Sequence, residues 1–276
     1  MTPPRPEQRP EGDLPAAQRA LPAHFREKSP LTDTAGTPWA GRDYSVSPFP
    51  DDDGSTPAAV AVALAAHRAG RDPHRTALVA AISAERLLVP IMAIAGEVGT
   101  TAHGLTGDNG ADMAMVSITA PDGSTILPVF SCVAELAAWR RDARPVPVPS
   151  AQAAQAAVQE GCTALVLDPA RPGPDGTPIL LPRSVLWALA QGRDWIPPFE
   201  DPEVAAELAG IAADAEGVLA LAALPGERTE VRLQVRLVAG LDQQGVQAVV
   251  ADLSRRLGLS PLIAERISSL TLALVG

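Results

Sequence analysis

The chain is poor in the residues that most enzymes and metal proteins lean on. It has four histidines, two cysteines, one lysine (Lys28) and one tyrosine, and aromatic residues make up 3%. Cys132 and Cys162 stand far apart in apolar stretches. That excludes a disulfide scaffold and a cysteine-type zinc site, and leaves buried free thiols. His24, His67, His74 and His103 offer no pair at the i, i+4 spacing of a helical metal site. No unbroken apolar run reaches about 18 residues, so no membrane span is expected. Met1–Glu11 has no apolar core, so a signal peptide is not expected and a cytoplasmic location follows by default. With 22 basic against 32 acidic residues the net charge is −10, which argues against nucleic-acid or anionic-membrane partners.

What is present is aliphatic mass and proline. Hydrophobic residues are 46% of 276, enough to close a core in one or two domains. The 28 prolines are unevenly placed. Eight fall between Pro3 and Pro38, where no apolar period survives, so residues 1–38 are expected to be a disordered tail. Residues 39–57 carry Trp39, Tyr44, Phe49 and Asp51-Asp52-Asp53-Gly54. This segment reads as an extended strap on a folded body. Its acidic run lacks the alternating spacing of a calcium loop and reads as a solvated turn.

From Ala58 the pattern becomes regular. Helices are expected over 58–69 and 74–84, each ended by a break. Residues 86–93 (RLLVPIMA) read as a buried strand, with Pro90 at an edge or a bulge. The glycine-rich stretch 96–111 reads as a loop without the lysine of a phosphate cradle. Strands at 113–119 and 125–130 flank the turn signal Pro121-Asp122-Gly123. A short helix fits 133–140. The run Arg144-Pro-Val-Pro-Val-Pro149 must be extended, and Ser150 is placed to cap a helix that stops at Gly161. Strands at 164–168 and 178–181 precede a helix over 184–191.

Pro197–Pro202 reads as a domain junction. Beyond it the order is α-β-β-α-α-β, and Val231, Leu233, Val235 and Leu237 alternate with Arg232, Gln234 and Arg236 on a one-sided strand. The chain is therefore expected to be α+β. Two small mixed domains, 39–199 and 200–276, would follow the disordered tail.

Charged residues at strand ends are the usual places for chemistry. Asp112, Arg144, Asp168 and Arg183 are the candidates, and Trp187 and Trp195 flank an apolar rim that would form either a groove or a lid. No nucleophile–base pair, metal set or G-x-S-x-G motif joins them. No catalytic residue, cofactor or metal is assigned on this basis. A non-enzymatic module that binds another protein is the leading expectation. Its rival is an enzyme or small-molecule binder with a site near those strand ends.

Several segments in order carry a resemblance to a known family. They are Trp39-Ala-Gly-Arg42, Asp52-Asp-Gly54, Leu87-Leu-Val-Pro90, Asp112-Met-Ala-Met-Val116, Leu127-Pro-Val-Phe130 and Ala137-Ala-Trp139. Arg144–Pro149, Ala164–Pro169 and Trp187–Pro198 continue the series. Over 39–199 the chain resembles the N-terminal domain of the SseB family in its high-GC Gram-positive form, and 200–276 resembles the family's C-terminal domain through weaker motifs. The resemblance implies an α+β fold, no established catalytic residues to carry over, and a strap role for 39–54.

Overall fold

The computed structural model describes residues 49–94, 99–100, 106–107, 112–120 and 122–275. The expected tail 1–38 and Trp39 of the strap lie outside the described residues. Residues 51–276 form one compact unit.

Helix α1 (Ala58–Arg68) and helix α2 (Thr76–Ser83) open it. Gly70 follows α1 at φ +71°, the left-handed stop that a glycine supplies without a Cβ penalty. Helix α2 starts two residues later than the sequence suggests, because Arg75 sits in the left-handed region at φ 63°. Strand β1 (Arg86–Ile94) is the middle of an antiparallel sheet, flanked by β4 (Asp112–Met115) and β7 (Arg144–Pro149). Between them the glycine-rich stretch carries a two-residue pair, β2 (Gly99–Thr100) with β3 (Thr106–Gly107).

Pro90 is neither at an edge nor at a bulge. It lies mid-strand, opposite Pro145 of β7. On its other side β1 changes partner. Leu88 exchanges two backbone hydrogen bonds with Phe130, and the Val116 N–H donates to the Pro90 carbonyl just past the end of β4. The missing proline donor therefore falls at the handover between two partners, where no ladder bond is lost.

The second sheet, ordered β5-β6-β8-β9, contains β5 (Ile118–Thr119), β6 (Thr125–Val129), β8 (Ala164–Leu167) and β9 (Ile179–Leu181). The expected single strand over 113–119 is thus divided between two sheets. β5 and β6 form the hairpin that the Asp122-Gly123 turn demands, with the Ala120 N–H donating to the Ser124 carbonyl. β6 and β8 run parallel, Ile126 against Ala164 through Val129 against Leu167. Their crossover includes helix α3 (Val133–Trp139), β7 and helix α4 (Ser150–Gln159). Ser150 is the first residue of α4 and caps nothing. Its hydroxyl is buried and lies 2.6 Å and 2.8 Å from the carbonyls of Ile82 and Glu85, tying α4 to the turn before β1.

Helix α5 (Arg183–Ala190) and helix α6 (Pro202–Asp214) follow. The last sheet, ordered β10-β11-β12, has β10 (Val218–Pro225) antiparallel and β12 (Leu270–Val275) parallel to β11 (Val231–Leu237). Helices α7 (Gln243–Leu259) and α8 (Pro261–Arg266) connect β11 to β12. Val231, Leu233 and Val235 are buried while Arg232 and Arg236 are exposed, as the alternation demands.

The apolar interior falls into two main clusters. One joins α1, α2, α4 and α5 to both N-terminal sheets through residues such as Leu78, Leu87, Leu127, Ala154, Leu165 and Leu186. The other joins α6–α8 to the last sheet through Val204, Leu208, Val231, Leu233, Leu253 and Ile263. Between them runs a polar seam. The Ser184 hydroxyl donates to Glu230 Oε1 (2.5 Å), the Ser268 N–H donates to Glu230 Oε2 (2.6 Å), and Arg183 Nη2 donates to the Ile267 carbonyl (3.1 Å).

Candidate functional site

Among the described residues polar side chains collect in several places, and two of these border hollows. The first is a buried network at the carboxyl ends of the parallel strands β6 and β8. Asp168, directly after β8, is 1% exposed and sits at φ 47°. Its carboxylate accepts from the Ser131 N–H (2.9 Å) and the Ser131 hydroxyl (2.8 Å), and Arg68 Nη2 lies 3.7 Å away. Burial pushes the Asp168 carboxyl above the usual range, against the two Ser131 bonds that favour its ionised form. Beside it Arg86, 4% exposed, makes four charge-assisted bonds. Nε and Nη2 reach Asp52 (2.6 and 2.8 Å), Nη1 the Ser131 carbonyl (2.6 Å) and Nη2 the Ser55 carbonyl (2.5 Å). Asp52, expected in a solvated turn, is instead 14% exposed, and the Arg86 hydrogen bonds hold its carboxyl below the usual range. The Val133 N–H donates to the Gly54 carbonyl, so residues 52–56 lie strapped on the body by both charge and backbone. Most polar groups here hold the chain together, but Arg68 Nε and Nη2 are buried without a hydrogen-bond partner.

The second place is a cleft of about 450 Å³ bounded by three chain segments. Pro73–Arg75 precede α2, Trp195, Pro198 and Phe199 follow α5, and Gly226–Glu230 form the turn between β10 and β11. Leu180 and Pro182 complete the floor. The His74 ring stands edge-on to Phe199 at 4.8 Å between centroids, and Trp195 Nε1 donates to the Ser184 hydroxyl (3.3 Å). A hollow of about 440 Å³ adjoins it, sharing Pro73, Arg75 and Leu180.

Arg75 lines both hollows. Its left-handed backbone is held by its own N–H donating to the Asp72 carbonyl (3.2 Å) and its carbonyl accepting from Val79 (2.8 Å). Asp72 is itself pinned, because its carboxylate accepts from the Leu78 N–H (2.9 Å) and its carbonyl contacts His67 Nδ1 (2.7 Å). Burial pulls the Arg75 guanidinium below the usual arginine range, opposed by the charges of Glu230, Asp72 and Asp175. Its Nε is buried without a hydrogen-bond partner.

Of the residues singled out from the sequence, Trp195 faces this cleft. Arg183 donates to the Ile267 carbonyl and lines a neighbouring groove with Leu257, Ile263 and Leu272. Trp187 is half-buried on α5 between buried Leu186 and Leu189. Asp168 belongs to the buried network. Arg144 is exposed at the start of β7, and Asp112 opens β4 opposite Ile94. No hydrogen bond or ion pair among the described residues links Arg144, Asp168 and Arg183. Arg75, Glu230 and Ser184 escaped the sequence reading. A break in apolar spacing at Pro73–Arg75 is the one local signal, and it does not reveal a left-handed arginine.

Residues 60–188 match the family model of the SseB protein N-terminal domain. The match supports the SseB family for this segment, and it includes Pro73–Arg75 and Leu180–Pro182 of the cleft. The cleft's remaining walls come from outside the matched segment. No curated protein and no solved structure matches the chain. Among the described residues no group of three or more His, Cys, Asp or Glu is arranged to hold a metal ion, and no helix is long and apolar enough to cross a membrane.

Proposed function

We propose that the chain is an SseB-family protein of the high-GC Gram-positive type and a cytoplasmic, non-enzymatic module that binds another protein. In this reading 200–276 is the SseB C-terminal-like domain, and the two domains cooperate in forming one binding cleft. The observation that carries the reading is the cleft's surface. Trp195, Phe199 and three prolines line it, and Leu180 (42% exposed) and nearby Ile196 (41% exposed) leave apolar area open to solvent. Open apolar surface rimmed by charge is the mark of a protein-binding site. The charged groups that the enzyme reading needs in one place support the module instead. Asp168 is held by Ser131 and Arg183 by a backbone carbonyl.

The test is affinity purification of the tagged full chain in three forms: native, Leu180→Glu in the cleft, and Val62→Glu on an exposed position of α1. A partner retained by native and Val62→Glu chains but lost from a folded Leu180→Glu chain is the expected result. Equal recovery by all three would place binding elsewhere.

A further inference from the structure

We propose that the cleft takes an extended segment of the partner protein, and that Arg75 receives a carboxylate from an Asp or Glu side chain in that segment. This rests on the protein-binding reading above and names the chemistry of its ligand.

Arg75 carries an unmet donor set. The Arg75 guanidinium makes no hydrogen bond and no ion pair with any described residue, and its Nε is buried. Its Nε is shut off from water without an acceptor, which buried polar groups in native proteins rarely are, while its two terminal nitrogens open toward the hollows. None of the carboxylates around it bonds to the guanidinium, and each is engaged by another donor. Glu230 accepts from Ser184 and Ser268, Asp72 from Leu78 N–H, and Asp175 from Thr177. The unpaired guanidinium, open to both hollows, is therefore placed to receive an acceptor from a bound segment. A guanidinium fork matches a carboxylate better than any other acceptor on a protein chain.

Position then selects the ligand's shape. Arg75 stands between the two hollows, one on each side, of about 450 and 440 Å³. A small anion would fill one of them at most. An extended segment crossing from one to the other sets its acidic side chain over Arg75 and its neighbours in the two hollows. Trp195, Phe199, Pro73, Pro182 and Pro198 form stiff, flat walls of the kind that receive extended, proline-compatible peptides. The left-handed backbone at Arg75 is a sparsely populated conformation for a non-glycine residue, and such strain persists where the surroundings impose it.

The remaining charges set the specificity. Glu227 and Glu230 line one hollow and Asp175 the other, with Arg228 at the rim. A second acid next to the first would meet these carboxylates. The favoured segment therefore has a single acid between apolar or basic neighbours.

The test uses a randomised array of fluorescein-labelled nonapeptides with a central Glu, each matched by a member with central Gln, read by fluorescence anisotropy against the full chain. The best central-Glu members should bind about tenfold or more tighter than their Gln partners, the scale of one charge-assisted hydrogen bond. Arg75→Asn keeps a residue that tolerates the left-handed backbone, so the fold should survive, as its thermal midpoint will report. In this variant the Glu preference should vanish, and in Arg75→Lys it should persist in part. Three outcomes overturn the proposal: no Glu preference on the native chain, a preference that survives Arg75→Asn, or displacement of the peptides by free acetate at equal concentration. If the Glu preference is absent while Leu180→Glu still loses the captured partner, the acidic anchor falls and the protein-binding reading stands.

Discussion

Arg86 is the residue whose loss should be felt most widely, because it joins three separated segments. It is 4% exposed and donates to Asp52, to the Ser55 carbonyl and to the Ser131 carbonyl. Replacing it with Met keeps the aliphatic stem but strands two backbone carbonyls and unpairs Asp52. Breaking a buried ion pair by removing one partner costs about 3–5 kcal/mol. Asp52 is 14% exposed and can recover some hydration, so the lower end, about 3 kcal/mol, is expected for Arg86→Met. At about 2–4 °C per kcal/mol for a unit of this size, the thermal midpoint should fall by about 6–12 °C. Asp52→Asn should cost less, about 1–2 kcal/mol, because the arginine keeps both carbonyls and a neutral acceptor. The double variant should be little worse than Arg86→Met alone, giving a coupling of about 1–2 kcal/mol in a urea-unfolding cycle. Acid adds an independent check. The Asp52 carboxyl lies below its unfolded value of 3.8, so on acidification the unfolded chain takes the proton first. The tie is fully present above that value and is lost as pH falls through the folded one. Arg86→Met should remove this part of the acid dependence. A loss under about 1 kcal/mol, or strict additivity with Asp52→Asn, would show that the Arg86–Asp52 pair does not tie these segments together.

Asp168 should behave in the opposite sense. Its carboxyl is raised in the fold, so native stability rises as pH falls through the raised value and the gain is complete below the unfolded value of 3.8, and Asp168→Asn should abolish that rise in pH-dependent melts. Asn also tolerates φ 47° and keeps an acceptor for Ser131, so its cost should stay under about 1 kcal/mol, whereas Asp168→Ala should cost about 2–4 kcal/mol. Cys162 is buried and its thiol is pushed up to about 11 by desolvation, so iodoacetamide at pH 8 should leave it unmodified in the native chain and alkylate it after denaturation. For the proposed second domain, residues 201–276 expressed alone should unfold cooperatively but with low stability, because the apolar cluster stays whole while Glu230 loses Ser184. A fragment that stays unfolded until 58–199 is supplied would show one fused core.

Much of the fold was legible where local chemistry and tertiary packing agree. The alternation from Val231 to Leu237 is a one-sided strand because α6–α8 cover one face only. Gly161 and Gly192 end their helices at φ +73° and +64°, conformations that glycine alone adopts freely. The misreadings share one cause. Pro90 looked like an edge residue because a proline costs a ladder bond, yet β1 changes partner at that residue and no bond is owed there. Ser150 looked like a cap because serine before an apolar run usually is one. Its hydroxyl bonds instead to Ile82 and Glu85, 68 and 65 residues away. Both are facts about a partner strand or a distant turn, which no local pattern contains.

The candidate site fails to show in the sequence for a related reason. Strand-end charges were the sensible candidates, and Asp168 does stand where the ends of parallel strands place functional groups. What decides a charge's availability is whether something already answers it. Glu230 and Arg75 are both ionisable residues beside turns and both line one cleft, yet Ser184 and Ser268 satisfy the first while no described residue satisfies the second. The segments that build the cleft begin at Pro73, Trp195 and Gly226, more than a hundred residues apart at the extremes. The close approach of α5 to α8, with Ser184 against Ser268 and Glu230, and the His74–Phe199 ring contact bring them together. A site made this way carries no motif. Its signature is a cation left unpaired beside a cleft with one of its nitrogens buried, and such an arrangement exists only once the chain is folded.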